Sequence, residues 1–344
     1  NFTVFNEADL RFGRHLNIIA GENGTGKTHI LKAAYCGIAV SAARARDGAN
    51  DAQSKAALAA AAGEKFLGVF RPDALGRLVR RARGRSKCQI RYQFDARALD
   101  FDLTFSTLSK VKMGVMPESR VGKRPAYLPT RELLTIAPGF VSLYETTHLP
   151  FEETWRDTCI LLEAPLARGP REARIHQLLQ PLEQAMGGKV DVDATGRFYL
   201  ILDSGRMEMH LVAEGLRKLA MVARLIATGS LLDTGYLFWD EPEANLNPRA
   251  IKTVAKTILS VAQNGIQVFI ASHSLFLLRE LHILQQREFP GLDTRCFGLR
   301  LNGDGVDLHQ GESMDEIGNI AVLDEELEQS GRYIATEMNL MEIS

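Results

Sequence analysis

Residues 21–28 read GENGTGKT, between the apolar run LNIIA at 16–20 and the stretch HILKAAYCGIAV at 29–40. The spacing fits GxxxxGK[ST], with a strand expected before it and a helix after it. Each residue type has a physical task. Gly21, Gly24 and Gly26 permit backbone angles and a close approach that a Cβ would block. Successive N–H groups of the loop, those of Asn23 and Thr25 among them, can then turn inward towards a phosphate. A helix starting near Lys27 adds the positive end of its dipole. Lys27 reaches the β- and γ-phosphates in such a loop, and the Thr28 hydroxyl ligates Mg²⁺. The plainer alternative is a glycine-rich turn that meets the pattern by chance, and the correct flanks count against it.

Two further stretches fit the same chemistry. YLFWDEPEANLNP, residues 236–248, opens as a continuous apolar run, the mark of a strand covered on both faces. Such a strand delivers Asp240 and Glu241 at its C-terminal end. Asp240 can hold the metal, directly or through water, and Glu241 can polarise an attacking water. Neighbouring carboxylates on a strand point to opposite faces, so Glu241 must sit where the strand has ended, and Pro242 supplies that end. The alternative is an acidic strand terminus without a metal. VFIASHS, residues 268–274, places His273 just beyond another buried strand, where ligands gather in parallel α/β sheets. It can meet the γ-phosphate or the attacking water near Glu241; a capping or merely exposed histidine is the alternative.

Around these motifs the pattern alternates between α/β and antiparallel β. The opening residues 2–21 read as two or three short strands. Residues 47–63 suggest a short helix after a mobile loop. Residues 86–116 and 189–212 alternate in polarity as two antiparallel meanders. Residues 127–145 read as a strand start, a turn and a helical stretch. Residues 152–186 read as two helices parted at Ala164 and Pro165, the second kinked or broken at Pro181. From 213 onward helices and buried strands return, with Asn247 and Pro248 opening one helix. The expected organisation is a discontinuous nucleotide-binding core, 1–46 with 206–312. An inserted meander and helical lobe fills 47–205, and a C-terminal helical segment, 313–344, packs on the core or contacts a partner.

Composition narrows the class. The 344 residues are 45% hydrophobic and 24% charged, as in an ordinary globular protein large enough for one big core. A net charge of −1 excludes a uniformly basic surface and leaves room for a local patch. Cys36, Cys88, Cys159 and Cys296 lie far apart with no CxxC, so reduced buried thiols are expected rather than a zinc or disulfide framework. No stretch approaches the ~18 apolar residues of a membrane span, and no signal segment is read before the first strand. The expectation is a cytoplasmic protein without a membrane partner.

Taken in order, GENGTGKT, FWDEPEANLNP and SHS resemble the Walker A, Walker B with D-loop, and switch-histidine motifs of ABC-type ATPases, in the non-transporter branch of SMC, Rad50, RecF and OLD proteins. VAEGLRK, residues 212–218, then resembles the signature motif that opens a helix upstream of Walker B. YLPTRELLTIAPGF with EPEANLNP is similar to compact bacterial AAA_21-type ATPases, many of them encoded beside an effector in antiphage systems such as Septu and PARIS. The resemblance implies an α/β P-loop NTPase fold of ABC-ATPase type with an antiparallel meander and an inserted helical lobe. It implies ATP and Mg²⁺ as cofactors and a homodimer, or a higher oligomer, built around ATP. Ala213, Glu214 and Gly215 of one copy would clasp the nucleotide held by Lys27 of the other. Glu241, His273 and Lys27 would be catalytic, and the effector would be a nuclease or toxin.

The resemblance is not complete. Ala213 stands where a serine hydroxyl often meets the γ-phosphate, a bond worth ~1 kcal/mol net or more to a charged group. Asn247 stands where the D-loop often has aspartate. Slow hydrolysis and an ATP-gated clamp are therefore expected. A RecF- or SMC-like DNA-repair ATPase is the alternative, and a transporter subunit is disfavoured by the absence of LSGGQ. The basic run 77–87, with Arg77, Arg80, Arg81, Arg83, Arg85 and Lys87, reads as a solvated helix end or as a nucleic-acid patch. Arg131 and Glu132 fall roughly where the family's Q-loop couples nucleotide to the lobe; a salt-bridged turn is the alternative. Phe2, Phe5 and Phe12 read as strand core, with adenine stacking as their alternative role.

Overall fold

The structure, a computed structural model, describes residues 1–43, 54–80, 86–147, 149–169, 172–303, 305–318 and 321–343. β1 (Leu16–Gly21) runs into the phosphate-loop turn and α1 (Lys27–Ala43). α2 (Lys55–Phe70) precedes an antiparallel meander of β2 (Lys87–Tyr92), β3 (Phe101–Ser106) and β4 (Lys112–Met113). β5 (Pro125–Leu128) leads to α3 (Phe140–Thr146), α4 (Glu153–Glu163) and α5 (Glu172–Met186). A second meander follows: β6 (Gly188–Val192), β7 (Phe198–Leu202) and β8 (Gly205–Glu208). Then come α6 (Glu214–Ala227), α7 (Ser230–Asp233), β9 (Tyr236–Asp240), α8 (Pro248–Gln263), β10 (Gln267–Ser272) and α9 (Leu275–Arg287). The chain ends with β11 (Thr294–Asn302), β12 (Gly305–Gly311) and α10 (Ala321–Ile343).

Six strands form the central sheet in the order β12-β11-β1-β10-β9-β5. All neighbours pair in parallel except β12, which returns antiparallel on β11. Alternate residues of each central strand feed two cores. Ile18, Leu237 and Trp239 face the cluster under α5, α6, α8 and α9, while Ile19 and Phe238 face the one under α1, α2 and the first meander. Burial on both faces is why these strands read as unbroken apolar runs. The parallel order brings the C-terminal ends of β1, β9 and β10 side by side, and Gly21, Asp240 and Ser272 end those strands.

Several expectations need correction. Residues 2–15 form no strand of their own: Phe2 bridges only to Phe5 and Val79. Thr3, at φ 49°, reverses the chain there, so Phe2 and Phe5 pack as a turn over α1 and α2. Phe12 packs edge-on to Phe269, with ring centroids 5.0 Å apart, and so belongs to the core. β5, expected within the inserted lobe, pairs with β9 in the central sheet. Pro181 lies inside α5 without ending it, because Ile175, Leu178, Leu182 and Met186 hold one continuous buried stripe. The hairpin β11–β12 was not read from the sequence, although the alternation around Asn302-Gly303 signals one. Of the C-terminal segment, Ile317 is buried, while on α10 the described side chains at Glu325, residues 327–336 and Met338 are exposed. The expected loop at 47–53 and Arg81, Arg83 and Arg85 lie outside the described residues. All four cysteines are buried, and burial pushes the Cys88, Cys159 and Cys296 thiols up to about 12. Among the described residues no helix is long and apolar enough to cross a membrane.

Candidate functional site

The turn after β1 is built for close approach. A Cβ on Gly21 would lie 2.7 Å from the Leu299 carbonyl oxygen, and one on Gly26 would lie 2.7 Å from Val4 Cγ2. Gly24 and Gly26 take φ values of 84° and 90°, in the left-handed region where a side chain is strained. The Thr25 hydroxyl donates to the Glu22 carbonyl at 2.8 Å and closes the loop. Asn23 and Gly24 stand exposed at its tip. The Lys27 ammonium bends back to donate to the carbonyls of Gly21 (2.9 Å) and Glu22 (3.0 Å). Burial holds its pKa below the usual lysine range, opposed by the charges of Glu241, Asp240, Glu243 and Glu22. A buried cation beside a left-handed glycine turn at the N-terminus of a helix is suited to meet an anion.

Next to it, the Thr28 hydroxyl donates to both Asp240 oxygens, at 3.1 and 2.9 Å. Asp240 is 7% exposed, and burial pushes its carboxyl up to about 6. The hydrogen bond from Thr28 and the charges of Lys32 and Lys27 pull it down, while Glu241 adds to the rise. The Tyr127 hydroxyl of β5 donates to the same carboxylate at 3.4 Å. Thr28 and Asp240 are hard oxygen donors, the set that suits Mg²⁺ when phosphate and water complete the shell. Among the described residues there is no cluster of three or more His, Cys, Asp or Glu side chains that could hold a metal. The chain's residues therefore fit ATP·Mg²⁺: the loop and Lys27 would hold phosphate, and Thr28 with Asp240 would hold the metal.

Glu241 follows the strand, as the sequence required. Its N–H donates to the Ala271 carbonyl at 2.9 Å, and its φ of 46° is left-handed. His273 Nδ1 lies 3.4 Å from Glu241 Oε1 and 3.9 Å from Glu243 Oε1. By its geometry the 3.4 Å contact is a charge pairing and not a formed hydrogen bond, and Nδ1 has no hydrogen-bond partner elsewhere; a small turn of the imidazole would make the bond that the titration of the pair reflects. Hydrogen bonding to Glu241 raises the His273 pKa and lowers that of Glu241, in each case against burial. Glu243, unread in the sequence, is buried; its Oε1 accepts from the Ser272 hydroxyl at 2.7 Å and from the His273 N–H at 3.3 Å. Its place two residues after Glu241 in EPEANLNP was the available signal.

α6 supplies the other half. Its N-cap residue, Ala213, makes no side-chain capping bond, and Ala213 and Glu214 are exposed while Lys218 is 2% exposed. The Asn245 side-chain amide donates to Glu214 Oε1 at 2.9 Å. A Cβ on Gly215 would lie 2.7 Å from the Asn245 carbonyl oxygen, so α6 rests on the 241–247 turn through a glycine. Glu132 pairs with Arg217 at 2.8 Å, which ties the 130s turn to α6, whereas Arg131 is exposed. Lys27, Thr28, Asp240, Glu241 and His273 thus converge at one end of the sheet. The contacts of Glu214 and Gly215 run to Asn245 and Leu246.

A six-stranded sheet, parallel but for its edge strand β12, with a phosphate loop at one strand end, and an Asp-Glu pair and a histidine at two others, defines a P-loop ATPase fold of the ABC and SMC-head kind. An Smc head bound to the C-terminal winged-helix domain of ScpA superposes with a TM-score of 0.50 at 12% identity, over 91% of this chain and 96% of that one. An Smc head of Pyrococcus furiosus with an extended coiled coil, also bound to the C-terminal domain of ScpA, gives 0.50 at 10% identity, over 96% and 94%. The chain belongs to the family described as "AAA domain, putative AbiEii toxin, Type IV TA system", whose model matches residues 108–279, half its length. That match runs from before β4 into α9 and contains Asp240, Glu241, His273 and the start of α6. The phosphate loop lies outside it. No curated protein sequence matches the chain.

Proposed function

We propose that this protein is an ATP-hydrolysing switch that dimerises around nucleotide and controls a partner effector. The observation that carries the reading is the convergence of Lys27, Thr28, Asp240, Glu241 and His273 beside a helix, α6, whose start at Ala213 and Glu214 is exposed and uncapped by any side chain. ATP·Mg²⁺, when bound, supplies the phosphoanhydride and the metal's positive charge. Lys27 and the loop N–H groups hold the phosphates, and Thr28 and Asp240 hold the metal. Glu241 orients the attacking water and takes its proton, and His273 steadies that carboxylate. The N–H groups at Glu214 and Gly215, with the helix dipole, meet the γ-phosphate bound by a second copy. Ala213 offers no hydroxyl there, so engagement and turnover are slow.

The effector is a nuclease or toxin, and the setting is bacterial antiphage defence in the cytoplasm. The family description carries toxin and toxin–antitoxin terms, which fits a toxin setting. The test is Glu241→Gln with ATP and Mg²⁺, followed by light scattering after size exclusion. A stable dimer or larger assembly that forms only with nucleotide is expected. A variant that binds ATP and keeps one size with and without it overturns the switch. Salt-sensitive duplex binding that is lost when Arg77 and Arg80 become glutamate would instead favour a DNA-clamp role. Against that role, Arg77 already faces Asp73 at 3.8 Å.

A further inference from the structure

We propose that Lys218 is a positioning residue that fixes the backbone of Glu241, and that through it the occupancy of one nucleotide site sets the carboxylate of the other. The inter-site part rests on the dimer proposed above. Lys218 lies on α6 one turn after Gly215, and its side chain is almost wholly buried. Its ammonium donates to the Glu241 carbonyl at 2.6 Å and to the Ala244 carbonyl at 3.3 Å. Both acceptors belong to the turn that carries the candidate base.

That turn is strained in a way that calls for such an anchor. Glu241 and Asn245, neither a glycine, take φ values of 46° and 63°. Left-handed residues of this kind persist only when their surroundings over-determine them, and they cluster at working sites. Here the left-handed Glu241 turns its carbonyl inward, where it accepts from the Ala244 N–H at 3.1 Å and from Lys218. Lys218 has its own reason to stay. A buried ammonium needs acceptors and opposite charge, and the charges of Glu243, Glu241, Asp240 and Glu214 all oppose the burial that lowers its pKa. The two halves of the contact therefore require each other.

Three side chains in the first two turns of α6 grip the catalytic loops of the same subunit. Glu214 holds Asn245, Arg217 holds Glu132, and Lys218 holds Glu241 and Ala244. The N-terminus of this helix is the surface offered to nucleotide on the second copy. A small shift of α6 on engagement is passed by Lys218 to the carbonyl of Glu241, and so to where its carboxylate points. One subunit's clasp on foreign nucleotide thus completes that subunit's own site.

The test uses the full chain with Lys218→Met, which keeps an apolar stem and removes the donors, and with Lys218→Arg, which keeps a charge. In nucleotide-free protein, hydrogen exchange of amides 243–246 is expected to speed up about tenfold or more in Lys218→Met while β9 and β10 stay protected. Affinity for a non-hydrolysable ATP analogue, and KM, should hold within about twofold, while kcat falls on the order of 100-fold and any sigmoidal dependence on ATP becomes hyperbolic. Lys218→Arg should recover part of the protection and of kcat, and it carries the same measurements should the methionine variant not fold. Unchanged exchange of the turn, or a rise in KM with kcat intact, overturns the role of Lys218. A wild-type protein that binds the analogue and stays monomeric overturns the dimer, and the inter-site link with it, whereas the exchange result in the free protein still decides the local anchor.

Discussion

The two halves of the candidate site are finished to different degrees. At the phosphate loop the three polar side chains at its heart have partners within the chain: Thr25 holds Glu22, Lys27 turns back on Gly21 and Glu22, and Thr28 on Asp240. At the start of α6 the helix opens without a side-chain cap, and its first residues are exposed. Side chains that already hold one another keep the cradle in shape until its ligand arrives. An open helix end leaves backbone N–H groups to water or to something that binds there. The difference suggests that nucleotide is taken up by one surface and read by another, and each half can be broken separately.

The largest effect should come from the half to which the chemistry is assigned. Glu241→Gln removes the base but keeps the shape, so phosphate release should fall on the order of 10²–10⁴-fold, with analogue binding nearly unchanged. Lys27→Ala should act one step earlier and abolish detectable nucleotide binding by calorimetry. If Glu241→Gln lost binding as well, the roles assigned within this half would be wrong.

The contrast also explains what could be read from the sequence. The phosphate loop, Asp240, Glu241 and His273 are set by local spacing at strand ends, and Asn247 and Pro248 announce α8 by capping chemistry. Tyr127, Glu243 and Lys218 were not legible as site residues, because their partners come from the order of strands and the packing of α6. Tyr127 meets Asp240 only because β5 lies beside β9. Lys218 looks like one more helical residue until α6 is laid across the 241–247 turn. The early misreading of residues 2–15 has a similar root. Apolar alternation suggested strands, but a left-handed Thr3 folds Phe2 back upon Phe5.

Asp240 sharpens the comparison by showing what the waiting cradle costs. Its carboxyl, ordinarily at 3.8, sits at about 6 in the fold, so between those values the folded state holds more protons than the unfolded one. Stability therefore falls as pH rises through that window, and above about 6 the full penalty stands. Asp240→Asn should raise the metal-free protein's stability by roughly 1–3 kcal/mol at pH 7–8 and by little near pH 4. Mg²⁺-dependent turnover should be lost in the same variant. Equal melting temperatures for the two proteins at pH 8 would show that Asp240 carries no such burden.

A smaller shift is expected at His273. Hydrogen bonding to Glu241 raises its pKa, so the pair contributes stability below that raised value and loses it as pH climbs through it; on the acid side it is lost as Glu241 protonates. Glu241→Gln should bring the His273 titration back down towards the ordinary 6.5, followed by proton NMR of the imidazole. Glu243, 3.9 Å away, should keep it from falling all the way. An unmoved titration would mean that the two side chains are neighbours without being partners.

The smallest effect, and the one most specific to the open half, concerns Glu214. An acidic side chain in the first turn favours the free helix, because it answers the dipole. The same carboxylate opposes a phosphate brought to that helix end by a second copy. Asn245 draws it aside with a hydrogen bond of 2.9 Å but leaves its charge in place. Glu214→Gln keeps that bond and removes the repulsion. Analogue-driven dimerisation should therefore tighten by about 2–5-fold, the equivalent of roughly 0.3–1 kcal/mol, with the gain shrinking as salt is raised. Ala213→Ser should add a donor at the same place and act in the same direction, through a bond of ~1 kcal/mol that salt screens less. Melting of the nucleotide-free protein separates the two causes: Glu214→Gln should lower it slightly through the lost dipole term, and Ala213→Ser should raise it by capping α6. If dimerisation moved only in step with those melting shifts, α6 would be an ordinary helix end, and the asymmetry between the two halves would be one of fold alone.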